Sequence, residues 1–236
     1  MISTLPRWVE YGAFILAAVA GFVNATGLLG FEHQSVSHLS GTATLLGAEL
    51  AKGSLLAEGS VSAEGFLFTG LHLIGVLFSF LVGSAISGYF INGRTLKIGR
   101  NYSAMLCLEA VLLFLACYLL IQNSIYGHYL ASAACGLQNA FATTFSGAIV
   151  RTTHVTGIFT DLGIMLGAKL KGEAFDRRKA ILFTLIIIGF VFGAVAGAFT
   201  FKQFQFYALL FPASICVLLA ITFYLYKLKR QLKEDN

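Results

Sequence analysis

The chain has 236 residues, 57% hydrophobic and 11% charged, with a formal net charge of +5 and a mean hydropathy of +0.80. Soluble domains carry roughly 25% charged residues, so a water-soluble module is excluded and an integral membrane protein is expected, with the lipid bilayer as its first partner. The positive charge is no nucleic-acid signature, because Lys and Arg fall between apolar segments and form no single patch.

The N-terminus starts like a signal peptide: Arg7, an apolar run, then Ala18-Val19-Ala20. The run continues to Phe31 and is duplicated later, so it is read as part of the fold. Crossing a bilayer takes about 20 apolar residues. Six such segments are expected, at 11–31, 65–91, 103–122, 126–149, 179–201 and 205–226. Two shorter, more polar segments, 38–51 and 154–170, are broken near their starts by Ser40-Gly41 and Thr156-Gly157. They are expected to be half-helices or re-entrant segments. Cys107, Cys117, Cys135 and Cys216 all lie in apolar runs without zinc spacing and are read as small hydrophobes.

The short segments echo each other. Ser37-His38-Leu39-Ser40-Gly41-Thr42-Ala43-Thr44-Leu45-Leu46-Gly47 and His154-Val155-Thr156-Gly157-Ile158-Phe159-Thr160-Asp161-Leu162-Gly163 share His-x-(Ser or Thr)-Gly-x-x-Thr-x-Leu-Gly at an offset of 116. Gly21-Phe22-Val23-Asn24-Ala25 matches Gly136-Leu137-Gln138-Asn139-Ala140 at an offset of 115. The chain therefore reads as one membrane domain over 1–236 with two repeats, 11–122 and 126–228. If the short segments do not cross, 14 of 16 basic residues, Arg7, Arg94 and Lys97 among them, fall on one side. If both cross, the split is 11 to 5. The positive-inside rule favours the first arrangement, with both termini cytoplasmic. Three crossings per half then make the repeats inverted. Gly189, Gly193 and Gly197 share one helix face, as do Ser79, Gly83 and Ser87. Such stripes serve internal packing or a seam between copies of the chain.

These residues carry a resemblance. The two Gly-x-x-Asn-Ala motifs, Ser40-Gly41-Thr42, and above all Arg151-Thr152-Thr153-His154-Val155-Thr156-Gly157 with Thr160-Asp161-Leu162-Gly163, resemble the YoaK-like family of bacterial inner-membrane proteins. The resemblance covers nearly the whole chain and implies a multi-pass protein of the bacterial inner membrane, without a settled activity. The family pattern commonly has Asp where this chain has Asn24, and an amide cannot titrate.

Polar, irregular backbone at membrane depth survives where it is buried in protein or lines a wet cavity. The expected site therefore gathers the two half-helix starts. Ser40, Gly41 and Thr42, with Thr156 and Gly157, would offer free N–H groups and positive dipole ends to an anion. His38 and His154 would donate to a solute or exchange a proton. Asp161 is a costly carboxylate that repels an anion and leaves proton or cation coupling open. Asn24 and Asn139 are expected to bond the adjacent short segments rather than touch solute. Neither a catalytic residue, a metal site nor a cofactor is expected. The reading is a small-solute transporter or channel. The alternatives are a membrane enzyme on a lipid or small amphiphile, disfavoured by the lack of a nucleophile elbow, and a scaffold or sensor, disfavoured by the lack of a soluble domain.

Overall fold

The computed structural model describes residues 8–30, 36–56, 63–91, 100–146 and 150–234. Arg7, Phe31, Arg94 and Lys97 lie outside them. The described residues form eight α-helices: α1 Trp8–Gly30, α2 Leu39–Leu56, α3 Ala63–Phe90, α4 Arg100–Ile121, α5 Tyr126–Phe145, α6 Val155–Leu170, α7 Arg177–Phe204 and α8 Leu210–Glu234. Each expected segment has its helix, but α5, expected as a crossing, is not among the stretches long and apolar enough to cross a membrane, and one boundary is corrected. Residues 205–209 are not the start of the last long helix but a tight 3-10 turn. Gln205, at φ 51°, ends α7, and Pro212, whose ring suits a helix's first turn, lies just inside α8. Asp176 caps the start of α7, its carboxylate accepting from the Arg178 and Lys179 amides at 3.1 and 3.0 Å.

Four stretches are long and apolar enough to cross a membrane: Trp8–Gly30, Glu64–Phe90, Tyr102–Ile121 and Arg177–Lys229, the last running through α7, the turn and α8. The outward faces agree. Phe78, Leu81, Val191, Phe192, Val195, Phe199, Leu218 and Ile221 are all exposed. A continuous apolar exterior of this kind has a stable setting in lipid. This is an all-helical membrane protein.

Directions follow from the contacts. Phe14, Ala18 and Phe22 on α1 face Gly189, Gly193 and Gly197 on α7, in the same order, so α1 and α7 run in parallel. On α3 and α5, His72 meets His128, Val76 meets Ser132 and Phe80 meets Gly136, again in parallel. Tyr102 meets Phe223 while Glu109 meets Cys216, so α4 and α8 are antiparallel. A tight turn makes α5 antiparallel to α4. Hence α1, α4 and α7 point one way, and α3, α5 and α8 the other.

Glycine decides both parallel pairs. A Cβ on Gly193 would collide with the Ala18 carbonyl, and one on Gly21 with the Phe190 carbonyl. In α3 and α5 the same happens between Gly83 and Ala133, and between Gly136 and Phe80. Backbone thus lies directly on backbone, and the glycine stripe on α7 serves internal packing. Lipid supplies no hydrophobic drive for helix association, so such close contact is what holds helices together. Side chains tie the same seams: Ser84 Oγ donates to the Gly136 carbonyl at 3.0 Å, and Ser132 Oγ to the Val76 carbonyl at 2.9 Å. Gln138, 1% exposed, donates from α5 to the Leu16 carbonyl of α1 at 3.0 Å. Arg178 and Glu10 pair at 3.1 Å where α7 and α1 begin.

Gly193→Ala is expected to lose about 1–3 kcal/mol by overpacking. Gly12→Ala, with nothing within 4 Å of the new methyl, is expected to be neutral or slightly stabilising. Thermal unfolding in detergent separates the two; equal midpoints would remove the carbonyl contact from the explanation.

Candidate functional site

The duplicated element folds the same way twice. The His38 carbonyl accepts from the Thr42 amide at 3.1 Å, and the His154 carbonyl from the Ile158 amide at 3.2 Å. Thr44 Oγ1 donates to the Ser40 carbonyl at 2.8 Å, and Thr160 Oγ1 to the Thr156 carbonyl at 3.0 Å. The histidines, rather than Ser40 and Thr156, therefore precede each helix start, and the hydroxyl residues fall inside the first turn. His154 makes no side-chain cap. The element also differs between copies. The His38 ring lies over Gly41, where a Cβ would come within 2.7 Å of Nδ1, whereas Gly157 has nothing within 4 Å.

Asn24 acts as expected. Its Oδ1 accepts from the Ser37 hydroxyl at 2.7 Å and the Ser37 amide at 3.3 Å, tying α1 to the entry of α2. Its counterpart does not. Among the described residues, Asn139 Oδ1 is buried without a hydrogen-bond partner, and so are Thr143 Oγ1, Thr152 Oγ1 and Thr153 Oγ1. Asn139 and Thr143 share one face of α5, and Thr152 and Thr153 lead into α6. Buried unsatisfied polar groups are rare, since each loses hydration without compensation.

The two helix starts are not brought together. α2 packs against α3, and α6 more lightly against α7. Both short helices lie on the outside of the bundle: His38, Ser40, His154, Thr156, Gly157 and Asp161 are exposed, Gly41 is half-buried, and Thr42 is buried. Asp161 forms no ion pair among the described residues, with Arg151 or with any other cation.

Another part of the molecule is more enclosed. A small, half-open cleft with about 20 Å³ of interior space, room for about one water, lies between α1, α4, α5 and α8, lined by Trp8, Gly12, Tyr102, Phe145, Ser146 and Phe223 among others. Gly12 faces it with open space. Gly127, its counterpart 115 residues on, is covered by Leu120 and by the Ala116 carbonyl, 2.9 Å from where a Cβ would stand.

Two polar clusters escaped the sequence reading. Glu109, 2% exposed, lies midway along α4 with Oε2 unpartnered. The Cys216 thiol faces its carboxyl within hydrogen-bonding reach, and Cys135 and Tyr102 are within electrostatic range. Cys216 is therefore more than a small hydrophobe. The signal was there: Glu109 is the one charged residue in 103–122. On α3 and α5, His72 Nδ1 lies 3.2 Å from the Tyr129 hydroxyl, and His72 Nε2 lies 3.4 Å from His128 Nδ1.

A family described as a protein of unknown function (DUF1275) matches residues 12–222. The chain belongs to that family. The expectation of an uncharacterised family covering nearly the whole chain thus holds, while the match does not carry the narrower YoaK-like label. Neither a curated protein nor a solved structure matches this DUF1275 chain.

Partial burial, then the nearby Arg151 guanidinium, hold the His154 imidazole of this DUF1275 chain below its usual range. Protonation is thus harder in the folded state, so this group's contribution to stability falls as pH drops through the ordinary imidazole range near 6.5. Imidazole NMR should show a depressed midpoint that rises in Arg151→Gln; an unmoved midpoint would clear Arg151 of any influence.

Proposed function

We propose that the chain is a small-solute transporter or channel of the bacterial inner membrane, with six crossings in two inverted halves and both termini cytoplasmic. The observation that carries this reading is the contrast between Gly12 and Gly127: matched positions, one lining an open cleft and one sealed by α4. Two similar halves held in different states give the asymmetry that alternating access requires.

Further support comes from direction and pairing. With α1, α4 and α7 opposed to α3, α5 and α8, the chain leaves α1 and enters α3 at the same end, so α2 need not cross. The same holds for α6 between α5 and α7. The carbonyl–glycine contacts repeat at offsets of 115 for α1 and α5, and of 110 for α7 and α3. Each half lends one helix to the other, a construction suited to rocking about a shared axis.

In this reading the two helix starts meet solute at opposite ends of one path rather than at a common point. His38, Ser40, Gly41 and Thr42 serve one end; His154, Thr156, Gly157 and Asp161 serve the other. Asn24 holds its element closed. Asn139, Thr143, Thr152 and Thr153 supply the unsatisfied groups that a polar solute or its water would engage.

Single cysteines at Ser40 and Thr156, in a background lacking native cysteines, should react with impermeant thiol reagents from opposite faces of the membrane. Labelling of both from one face would end the inverted arrangement. For the activity, thermal unfolding across small anions, cations and neutral metabolites should reveal a selective ligand, adding about 2.7 kcal/mol at 100 times its dissociation constant. The gain should vanish in folded His154→Ala. A broad panel with no hit on folded protein would overturn the transport reading.

A further inference from the structure

The repeat makes one hydrogen bond in its first half and omits the counterpart in its second. Asn24 Oδ1 accepts from the Ser37 hydroxyl at 2.7 Å. The matched atoms are Asn139 Oδ1, 115 residues on, and Thr153 Oγ1, 116 residues on. Among the described residues both are buried without a hydrogen-bond partner, as are Thr143 Oγ1 and Thr152 Oγ1. Asn139 and Thr143 are about one turn apart, near the C-terminal end of α5. Thr152 and Thr153 belong to the segment that turns back from that end, where the Val150 amide donates to Ser146 Oγ at 2.8 Å. Val150 shares a buried cluster with Phe141 and Ala142, so the segment returns alongside the helix that carries Asn139.

The second half also carries more oxygen than the first. Thr143 stands where the first half has Leu28, and Thr152 where it has Val36. A buried hydroxyl in an apolar bundle is costly unless something engages it, so the added pair points to a ligand and not to packing. The unmet groups share one character. All four are oxygens, and among the described residues no buried side-chain nitrogen is left unpartnered. Asn139 Oδ1 can only accept, and each hydroxyl can turn its lone pairs inward. The last turn of α5 adds the negative end of a helix dipole. An anion would meet lone pairs there. Divalent ions draw on carboxylates, and transition metals on imidazole or thiolate, and none of these belongs to the set. Arg151 and Asp161 are both exposed. A hard monovalent cation fits, because neutral oxygens can replace its hydration shell.

We propose that Asn139 Oδ1, Thr143 Oγ1, Thr152 Oγ1 and Thr153 Oγ1 form a site for an alkali-metal cation where α5 ends and the entry to α6 begins. Oxygens that share a cation repel one another and stand apart, so Asn139 and Thr153 forgo the bond that Asn24 and Ser37 make. The first half offers no such site, since two of its matched positions are hydrocarbon and the other two satisfy each other. Ends of broken helices are where transporters hold coupling ions. The site rests on the transport reading only in this: that reading brings polar solute or water to these oxygens, and the inference names the species held.

Purified full-length protein is unfolded thermally in sodium chloride, potassium chloride and N-methylglucamine chloride at equal ionic strength. Sodium or potassium should raise the midpoint saturably above N-methylglucamine, which is too large to be enclosed. Thr153→Val keeps the shape and removes one oxygen, and should weaken the cation on the order of tenfold. Thr153→Ser keeps an oxygen and should retain the effect. Thr143→Val repeats the test from α5 should Thr153→Val not fold. Equal midpoints in the three salts would overturn the proposal, and water alone would then satisfy these oxygens. A cation effect unchanged in the folded valine variants would overturn it too, by placing the ion elsewhere. The measurement contains no solute. A failed cation site therefore leaves the transport reading standing, and a solute panel without a hit leaves the cation site standing.

Discussion

The contact between a backbone carbonyl and a glycine face is the constraint on which the bundle depends. Among the described residues it occurs at Ala18 against Gly193 and Phe190 against Gly21, and again at Ala133 against Gly83 and Phe80 against Gly136. Burial of oil against oil gives little inside a membrane, so association rests on packing and on polar links between helices. The closest packing is available where neither helix presents a Cβ. Once α1 lies on α7 and α5 on α3, the remaining helices have little freedom. α4 is fixed by its turn to α5 and by the Tyr102–Phe223 and Glu109–Cys216 contacts with α8. The cleft is the region that this scheme leaves unfilled.

Much of this was legible in the chain. Apolar length located every helix, and the polar breaks at Ser40-Gly41 and Thr156-Gly157 marked the short ones. The offsets of 115 and 116 matched residues that do adopt like conformations, down to the hydroxyl bonds of Thr44 and Thr160. Helix ends were less legible. The turn at 205–209 is as apolar as the helices around it, so hydropathy cannot see it, and it depends on the positive φ of Gln205. Which helices would pair was not legible at all. A glycine stripe says that something comes close, but not which carbonyl. The candidate site suffered for the same reason, because two like sequences suggest one shared place and only packing shows that α2 and α6 lean on different neighbours. Glu109 is visible as the one charged residue in 103–122, but a lone carboxylate in an apolar run does not tell which helices enclose it.

The polar interior is divided unequally. In the first half Asn24 and Ser37 satisfy one another. In the second, Asn139 and three threonine hydroxyls do not find partners among the described residues. Similar sequence thus has unequal environments, as it does at Gly12, with nothing within 4 Å, and Gly127, against Leu120 and the Ala116 carbonyl.

The pairing of α1 with α7 also bears on how the chain is made. A total of 146 residues separate Gly30 from Arg177. At 5–20 residues per second, α1 waits roughly 7–30 s for its partner to be synthesised. During that interval the glycine-bearing face of α1 lies against lipid or against whatever holds nascent helices. The α1–α7 pair therefore closes only after most of the chain is made, and an interruption before Arg177 leaves α1 without its mate.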